Sequence, residues 1–450
     1  MYFLYSLIIS AGLLLLAPYF LVRGLLQGKN LRNLPERRGL RFPPGLIAAA
    51  DSGAGDGIWL HAVSVGEVLA AVPLARSLKE CYPERRLVVS TTTETGQALA
   101  RERMNFADAL LYFPLDLPGA MRRAFRAIRP GLIVVMETEI WPNFLRTARE
   151  AGVPVVYANG RISDRSLRGF LRWPLSSFRR QIFADGALYL MQSAEDARRV
   201  TKLGAPAGRV LVTGNLKYDL QPPDENALVR WLRAGIERSG RGPLLVAGSV
   251  IAGEEQAVLE ALALVAARWP NTLLVLAPRR PERFAEAAAE IEQRGWSVVR
   301  RSTLSLGGDG ASAGVLRQES GGRRTVLLLD SLGELSALYR LADAVFVGGS
   351  LVPSGGHNPL EPAAFGVAPV FGPSMENFRD IAGEFLSAGA AVQVESGAEL
   401  GAEWVALLED DERRADIGKR ALELVERHRG ATAATLEHLA GFLKTPQAVR

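Results

Sequence analysis

The sequence predicts an α/β protein made of two doubly wound parallel-sheet domains in tandem. From Ile58 onward, short apolar runs typical of buried strands alternate with amphipathic helical stretches, the pattern of a parallel sheet covered on both faces. The alternation stops at a polar, proline-rich break over 221–224 and then begins again. A length of 450 residues also fits two or three domains.

The first of these domains is expected over residues 57–220. Its strand-like runs are IWLHAV (58–63), RLVVST (86–91), ALLYF (109–113), LIVVM (132–136), PVVYA (154–158), ALYLM (187–191) and RVLVTG (209–214). Helix-patterned segments lie between them, for example at 67–80, 118–128 and 194–203.

The second domain is expected over residues 243–410, after an interdomain linker at 221–242. Its strand-like runs are PLLVAG (243–248), TLLVLA (272–277), TVLLLD (325–330), AVFVGG (344–349) and APVFG (368–372). Residues 302–324 are rich in Gly and Ser and predict a flexible surface loop. Residues 411–450 predict a helical segment that packs back on the first domain.

The N-terminus predicts a membrane anchor. Residues 1–22 carry no charged side chain, and a helix of roughly 20 apolar residues spans a bilayer core. The basic residues of a juxtamembrane segment at 23–56 follow rather than precede the apolar run, so a cleaved signal peptide is disfavoured and the rest of the chain is expected on the cytoplasmic side. A helix lying in the membrane interface is the alternative.

Composition excludes several classes of protein. Cys81 is the only cysteine, so no internal disulfide can form, which fits a reducing compartment. The four histidines have no metal-ligand spacing, and no Asp-x-Asp occurs. No G-x-G-x-x-G follows a strand and no Walker sequence is present, so no cofactor is expected. The surface also lacks the aromatic interleaving of a nucleic-acid groove.

The segment 61–67 (HAVSVGE) lies where the first strand is expected to end. Gly66, shortly after Ser64, is expected to allow a tight turn from strand to helix. Glu67 then falls in the first helical turn, where a carboxylate can take a proton from an acceptor hydroxyl group. The alternative is an acidic residue that is favoured there by the helix dipole.

The segment 136–143 (METEIWPN) places Glu137 and Glu139 at the end of an apolar strand. In a strand these two positions share a face. Helix capping together with a solvated sheet edge is the alternative. Charge at the carboxyl end of a central strand favours a functional role.

The segment 214–219 (GNLKYD) comes just before the expected linker. Lys217 could there offset negative charge on a leaving group. A solvated lysine is the alternative.

The segment 348–362 (GGSLVPSGGHNPLEP) predicts a nucleotide-phosphate site. Paired glycines, among them Gly355 and Gly356, let a backbone approach a ligand closely. Asn358 is expected at the N-cap, with Pro359 at the first helical position and Glu361 at the third. Such a helix start presents free N–H groups to a phosphate.

A capping box without any ligand is the alternative for this segment. That arrangement alone would not require the four glycines or His357. Two other segments fit a nucleotide pocket in the same domain, because each follows a predicted strand: Pro278 with Arg279, and Leu332 with Gly333 and Glu334. The Arg279 guanidinium can donate a charge-assisted pair of hydrogen bonds to a phosphate.

In this order, these motifs resemble the bacterial 3-deoxy-D-manno-octulosonic acid (Kdo) transferases, which are inverting enzymes of the GT-B architecture. The likeness covers nearly the whole chain. It extends to the N-terminal apolar run and to ERRG (36–39), NGRIS (159–163), PRRPERF (278–284) and FGPSMENFRDI (371–381).

The resemblance implies transfer of Kdo, an acidic eight-carbon sugar, from CMP-Kdo to a hydroxyl of the lipid A precursor (lipid IVA) at the inner membrane. It also implies two domains that face each other across a cleft, with no metal and no cofactor. Glu67 matches the proton acceptor, and Glu137 and Lys217 match residues that stabilise the transition state. The positions that match CMP contacts are Pro278, Arg279, Leu332, Gly333, Glu334, Asn358, Pro359, Leu360 and Glu361. Further candidates near these positions are Ser64, Gly66, Ser249, Gly355, Gly356 and His357.

The sequence departs from the family pattern near the expected donor pocket. Val250 and Ile251 stand where Thr-His is usual, Arg280 replaces a histidine, and Ser354 replaces an arginine. These changes bear on donor affinity and on the number of Kdo units added. Two other functions stay open: a GT-B enzyme that uses a UDP-sugar, and a non-catalytic nucleotide-binding protein tethered to the membrane.

Overall fold

The computed structural model describes residues 1–27 (17–27 as backbone only), 33–43, 46, 57–172, 176–240, 242–306 and 325–443. The chain divides into two compact units. Unit 1 runs to Asp219 and resumes at His428, and unit 2 is Leu220–Arg427. Most of the loop expected at 302–324 lies outside the described residues.

Unit 1 contains a seven-stranded parallel sheet in the order β3-β2-β1-β4-β5-β6-β7. Its strands are β1 Gly57–His61, β2 Leu87–Thr91, β3 Ala109–Tyr112, β4 Pro130–Met136, β5 Val155–Gly160, β6 Leu188–Met191 and β7 Val210–Val212. Its helices before residue 220 are α1 Tyr2–Gln27, α2 Leu34–Arg37, α3 Val65–Cys81, α4 Glu94–Arg103, α5 Pro118–Ile128, α6 Pro142–Glu150, α7 Asp164–Leu171, α8 Ser176–Ala184 and α9 Ala194–Leu203.

The central strands of the unit 1 sheet are buried on both faces, because most of their side chains are apolar. Neighbouring strand residues point to opposite faces, so Trp59 packs with Phe125 and Phe144 on one side. Ile58 and Leu60 pack on the other side, into the cluster that includes the apolar face of α3. Helices therefore cover both faces, as the uninterrupted apolar runs predict.

Unit 2 contains a second seven-stranded parallel sheet, in the order β10-β11-β9-β8-β12-β13-β14. Its strands are β8 Leu244–Val250, β9 Leu273–Pro278, β10 Ser297–Arg300, β11 Thr325–Leu328, β12 Ala344–Val347, β13 Pro369–Phe371 and β14 Val392–Gln393. Its helices are α10 Ala227–Ser239, α11 Glu255–Arg268, α12 Phe284–Gln293, α13 Leu335–Leu338, α14 Leu360–Ala363, α15 Arg379–Ser387, α16 Gly397–Glu409 and α17 Asp411–His428, and a last helix, α18 Ala431–Leu443, returns to unit 1.

The two parallel-sheet α/β domains are confirmed, and every strand-like run identified in the sequence forms a strand. The two strands that the sequence did not reveal are at the sheet edges: β10 is half-buried and ends in an arginine, and β14 has only two residues. Neither gives an apolar run long enough to stand out.

The expected linker at 221–242 is largely a helix. Helix α10 spans 13 of these residues and buries Leu228, Val229, Trp231 and Leu232. Its asparagine cap is also regular, since the Asn226 side chain accepts a hydrogen bond from Val229 N–H. The proline-rich break marks the start of unit 2 rather than a free connector.

The helical stretch from 411 onward is divided between the units. Helix α17 belongs to unit 2, whereas α18 packs against α3 and the turn Leu216–Asp219 in unit 1. The Asp219 carboxylate accepts hydrogen bonds from Gly430 N–H (2.6 Å) and from Thr432 N–H, which closes the start of α18. The C-terminal helix is thereby joined to the GNLKYD segment.

The first turns of α1 pack on unit 1. Tyr2 donates a hydrogen bond to Asp185, Tyr5 to Asp116 and Ser6 to Asn143. Within the described part of the chain, no helix combines the length and apolarity needed to cross a bilayer. The spanning anchor expected over residues 1–22 is therefore not found.

The basic segment after α1 is described only in part. Arg37 does not extend toward solvent, because its guanidinium lies 4.8 Å from the centre of the Tyr112 ring and donates to the Thr92 carbonyl. The neighbouring Glu36 accepts a hydrogen bond of 2.6 Å from Tyr112 N–H. This part of the ERRG segment ties the chain to β3.

Candidate functional site

The topology of unit 1 points to the carboxyl ends of β1 and β4. The chain proceeds from β1 to β2 and β3 on one side and then returns to β4 on the other. Ligands of open parallel sheets bind beyond the strands at such a reversal. Glu67 follows β1 and Glu137 follows β4, so the structure brings these two predicted residues to the same edge.

The Glu67 side chain is held by the start of its own helix. It is 6% exposed, and its carboxylate accepts hydrogen bonds from Val63 N–H (2.8 Å) and from the Ser64 hydroxyl (3.0 Å). Ser64 is the N-cap of α3 and makes no cap bond of its own. The interpretation of Glu67 as a helix-start acid is thus correct as geometry, and it leaves open what else the carboxylate does.

The electrostatic surroundings of Glu67 favour proton transfer. Burial, the charge of Glu137 and, to a smaller extent, the charge of Glu139 together raise its pKa from 4.5 to about 7, against the lowering effect of the Val63 and Ser64 hydrogen bonds. A general base is most effective when its pKa lies near the working pH. A buried carboxylate with perturbed protonation at a topological reversal is a typical functional residue.

Glu137 and Glu139 lie beyond the strand rather than on it. Strand β4 ends at Met136, and Glu137 adopts a left-handed backbone with φ of 55° while its N–H bonds to Ala158. The expected same-face alternation is therefore wrong; a turn brings both carboxylates to Glu67. A left-handed backbone at a non-glycine residue is strained and is found at functional sites. Burial and the Glu137 charge also raise the pKa of Glu139.

Lys217 is connected to this group through Asn159. The turn Leu216–Asp219 starts with Leu216, whose N–H donates to the Asn159 side chain (2.9 Å). Asn159 is fully buried, has φ of 56°, and follows Ala158, the partner of Glu137. The end of β5 thus fixes the backbone beside both Glu137 and Lys217. The strained backbone at Asn159 gave no signal in the sequence.

Gly66 does not form the turn from strand to helix that the sequence predicts for it. It lies inside α3, and a Cβ at this position would meet no other atom within 4 Å. The turn from strand to helix therefore does not depend on glycine.

In unit 2, the corresponding reversal lies between β8 and β12. The predicted donor residues follow four neighbouring strands of this sheet: Ser249 at the end of β8, Pro278 and Arg279 at β9, 332–334 after β11, and the glycine-rich segment after β12. All these strands are parallel, so their carboxyl ends meet at one edge. The structure brings the predicted donor residues together at that edge.

The four glycines of this segment are required by the protein itself. A Cβ at Gly348 would lie 2.5 Å from the Ser249 carbonyl oxygen, and one at Gly349 would lie 2.4 Å from the His357 ring. At Gly355 and Gly356 the obstacles are Asn377 (2.5 Å) and Met375 (2.3 Å). These glycines thus admit neighbouring segments of the chain; that they also admit a ligand stays a prediction.

His357 is locked in place beside the segment and next to Arg279. Its Nδ1 lies 2.8 Å from the Gly348 carbonyl oxygen, so Nδ1 carries the proton and Nε2 is left as an acceptor. Burial lowers the pKa of His357, and the charge of Arg279 lowers it further. The imidazole is therefore neutral near pH 7. Arg279 itself is exposed, and its N–H bonds to the Val250 carbonyl.

The turn at 358–361 forms less helix than expected. Helix α14 begins at Leu360 and has four residues, with Pro359 rather than Asn358 at the N-cap position. The Asn358 side chain accepts a hydrogen bond from Leu360 N–H (3.1 Å). The regular helix start expected at 358–361 is therefore wrong, because the segment forms only a single helical turn.

Leu332 and Gly333 form an exposed tip after β11. Leu332 is 67% exposed, and Gly333 has φ of 81° with open space around it. Glu334 is engaged in an ion pair with Arg301 (2.9 Å) and accepts from the Ser331 hydroxyl. Of the positions that depart from the family pattern, Val250 is buried, whereas Ile251, Arg280 and Ser354 lie at the surface to differing degrees.

Metal binding has no evident ligand set here. Within the described ranges, no group of three or more His, Cys, Asp or Glu side chains is arranged to hold a metal ion.

Solved structures with little sequence similarity share the fold. The UDP-GlcNAc 2-epimerase of Neisseria meningitidis bound to UDP-GlcNAc matches 86% of this chain and 100% of its own, with a TM-score of 0.53 and 12% identity. At that identity the likeness shows the fold alone, which is the GT-B type of two parallel-sheet α/β domains.

Family comparisons are more specific. A family model described as 3-deoxy-D-manno-octulosonic-acid transferase (kdotransferase) matches residues 32–220. The 3-deoxy-D-manno-octulosonic acid transferase of Haemophilus influenzae is 34% identical over 426 residues, which is 94% of each chain. That of Bordetella pertussis is 36% identical over 420 residues, which is 90% of each chain. The chain therefore belongs to the Kdo transferase family of glycosyltransferases.

Proposed function

We propose that this protein transfers Kdo from CMP-Kdo to a hydroxyl group of the lipid A precursor, with inversion at the sugar carbon and with Glu67 as the general base. The observation that carries the proposal is a buried carboxylate at the β1/β4 reversal whose pKa of about 7 lies close to physiological pH. An acidic residue favoured by the helix dipole would explain the position of Glu67. It would not explain why two further carboxylates, those of Glu137 and Glu139, lie close to it.

In the proposed reaction, the Glu67 carboxylate takes the proton of the acceptor hydroxyl. The acceptor oxygen attacks the anomeric carbon of Kdo and forms the new glycosidic bond. The bond between that carbon and the phosphate oxygen breaks, and CMP leaves with the bonding electron pair. A single displacement of this kind inverts the anomeric carbon. Glu137, by keeping the proton affinity of Glu67 high, makes the proton transfer favourable.

The donor is assigned to unit 2. Arg279 is exposed at the carboxyl edge of the sheet and can pair with the phosphate of CMP. The neutral His357 ring offers Nε2 as an acceptor, and the tip at 332–333 offers an apolar side chain and free backbone. Residues 358–361 complete this proposed pocket by offering backbone groups to the nucleotide. Lys217, on the turn fixed by Asn159, is proposed to offset the charge that develops on the leaving phosphate.

Association with the inner membrane is proposed to involve α1 as a helix at the membrane surface. Its first turns are bonded to unit 1 by Tyr2, Tyr5 and Ser6, while its other side exposes large apolar side chains. These are Phe3, Leu4, Leu7, Ile8, Leu14, Leu15 and Leu16. A helix with one side docked and the other apolar suits the boundary between headgroups and acyl chains, where the acceptor also lies.

The test of the reaction is incubation of the purified protein with CMP-Kdo and the lipid A precursor, with products identified by mass. We expect addition of at least one Kdo unit and release of CMP. Parallel incubations with UDP-sugars serve as the control. Transfer from a UDP-sugar but not from CMP-Kdo would overturn the donor assignment, and binding of CMP without transfer from any donor would favour a non-catalytic tether.

A further inference from the structure

Unit 2 contains a buried carboxylate that the proposed reaction does not use. Glu254 lies between β8 and α11 and is 0% exposed. Its carboxylate accepts hydrogen bonds from four backbone N–H groups: Gly349 (2.6 Å), Ser350 (2.8 Å), Leu351 (2.9 Å) and Ile251 (3.1 Å). Three of these donors are consecutive residues of the glycine-rich segment.

This arrangement is an anion site filled by the protein's own side chain. Successive backbone N–H groups that converge on one point bind anions, and a carboxylate buried without such donors would be costly. The N–H groups of 349–351 are therefore committed to Glu254. They are not available to the phosphate of a nucleotide, so the glycine-rich segment holds its shape by an internal charge rather than by the donor.

The segment that Glu254 fixes carries the proposed donor residues. The Gly348 carbonyl accepts from His357 N–H (3.2 Å) and from His357 Nδ1, and the Gly349 carbonyl accepts from Gly356 N–H (2.7 Å). His357 is followed at once by the turn at 358–361. A continuous path of hydrogen bonds thus runs from the Glu254 carboxylate, through 348–351, to the ring and backbone that precede this turn.

We propose that Glu254 is a positioning residue for the nucleotide donor: it fixes the segment 348–351, and through it His357 and the turn at 358–361. The inference rests on the proposed function, because it takes these residues to contact CMP. Glu254 itself touches no substrate. A role in overall stability alone predicts equal effects on both substrates, whereas donor positioning predicts an effect on the donor only.

The neighbouring Glu255 provides a matched control. It is also buried, at 3% exposure, and lies one residue away at the start of the same helix. Its carboxylate accepts from Gly253 N–H (3.0 Å) and pairs with Arg283 (2.8 Å), and neither of these contacts involves the glycine-rich segment. Glu254→Gln and Glu255→Gln remove the same charge from almost the same place.

The experiment measures the Kd for CMP by calorimetry, the KM for CMP-Kdo, the KM for the lipid acceptor and the Tm of each full-length variant. Glutamine removes the charge and places an N–H₂ group against N–H donors. We expect Glu254→Gln to weaken CMP binding and to raise the KM for CMP-Kdo by about ten- to a hundredfold, with the acceptor KM unchanged. Glu255→Gln should leave both donor values at those of the wild type.

A second variant covers the case in which Glu254→Gln fails to fold. Glu254→Asp keeps the charge and shortens the reach, so it should fold and show a smaller change, again confined to the donor. The inference is overturned if a folded Glu254 variant binds CMP as the wild type does, if both KM values rise together, if Glu255→Gln has the same donor effect, or if the aspartate variant also fails to fold. Wild-type protein that neither binds CMP nor transfers Kdo would instead refute the proposed function.

Discussion

Glu67 and Glu254 occupy corresponding places in the two units, yet their surroundings differ. Each is buried, and each follows the strand at which its sheet reverses, near the start of the next helix. Glu67 accepts two hydrogen bonds and lies close enough to Glu137 and Glu139 to be affected by their charges. Glu254 accepts four hydrogen bonds, all from backbone N–H groups.

The difference shows what separates a reactive carboxylate from a structural one on the same scaffold. Hydrogen-bond donors stabilise the ionised form, whereas burial and like charges destabilise it. At Glu67 burial and like charges outweigh the donors, and the carboxylate readily takes up a proton. At Glu254 the donors are numerous and come from the segment that needs to be held. Glu67 and Glu254 have the same position in the fold. The number of hydrogen-bond donors and of like charges around each carboxylate decides its role.

The largest expected effect is on the reactive member of the pair. Glu67→Gln keeps the shape of the side chain but cannot accept a proton, so the rate of Kdo transfer should fall by about a hundred- to ten-thousandfold. CMP binding should be unchanged, because the proposed donor residues are in the other unit. Transfer assays and calorimetry with CMP measure the two effects. Transfer by Glu67→Gln at the wild-type rate would show that Glu67 is only a helix-start acid.

The next effect concerns stability, because a carboxylate with a raised pKa lowers stability once it ionises. The pKa of Glu67 is 4.5 unperturbed and about 7 in the folded protein, so between these values the folded state binds more protons than the unfolded state. Stability from this group is complete below pH 4.5 and is lost as pH rises through 7. The loss amounts to about 3–4 kcal/mol at most, at about 1.4 kcal/mol per pKa unit.

Glu67→Gln removes this titration. Relative to that of the wild type, its free energy of unfolding in urea should therefore increase as pH rises from about 4.5 to about 8, by up to about 3–4 kcal/mol. A difference that stays constant across this range would contradict the raised pKa, whatever its absolute value.

A third expected effect concerns the glycine-rich segment of unit 2. Gly356 has φ of 72°, and a Cβ there would lie 2.3 Å from the Met375 sulfur and 2.9 Å from the Ser374 carbonyl oxygen. Gly356→Ala should destabilise unit 2 by about 1–3 kcal/mol, from backbone strain and from the clash. Gly333→Ala is the matched control, since Gly333 has φ of 81° but open space around it, and it should show the strain alone. Equal losses of stability in the two variants would contradict the packing argument.

Much of the fold could be predicted from the sequence, because strands buried on both faces leave uninterrupted apolar runs. The edge strands β10 and β14 left none, and α10 was hidden behind a proline-rich break. The compact units also divide the C-terminal helices between them, and the last helix is joined to unit 1 by the Asp219 bonds to Gly430 and Thr432 and by apolar packing. Long-range contacts of that kind have no local pattern.

The sequence predicted which residues lie at the candidate site better than it predicted the contacts that hold them there. Glu67, Glu137 and Arg279 lie at the sheet edges where strand order places them. The packing role of the glycines was not foreseen, because a glycine needed for packing and one needed for a ligand look alike in sequence. The regular helix start expected at 358–361 was wrong, because the helix begins only at Leu360. Glu254 gave no signal, since three of its four backbone donors come from a segment about a hundred residues away and become neighbours only in the folded sheet.

The smallest expected effect is a change in the pH dependence of transfer, which tests what raises the pKa of Glu67. Among the causes of its raised pKa, burial is largest, the Glu137 charge second, and the Glu139 charge smaller. If Glu67 is the base, transfer should increase with pH through about 7, because only the ionised form accepts a proton. Glu137→Gln removes one of the raising charges, so the midpoint of this increase should move to lower pH. The plateau rate should also fall if Glu137 stabilises the transition state.

Glu139→Gln separates these two roles of a neighbouring carboxylate. It should move the midpoint in the same direction but by less, and should leave the plateau rate nearly unchanged, because this residue is proposed to act on Glu67 through its charge alone. The measurement is kcat/KM across pH 5.5–9 for the three proteins. If Glu139→Gln moves the midpoint to higher pH, or if neither variant moves it, then neighbouring charge does not set the protonation of Glu67, and the contrast with Glu254 is one of hydrogen-bond donors only.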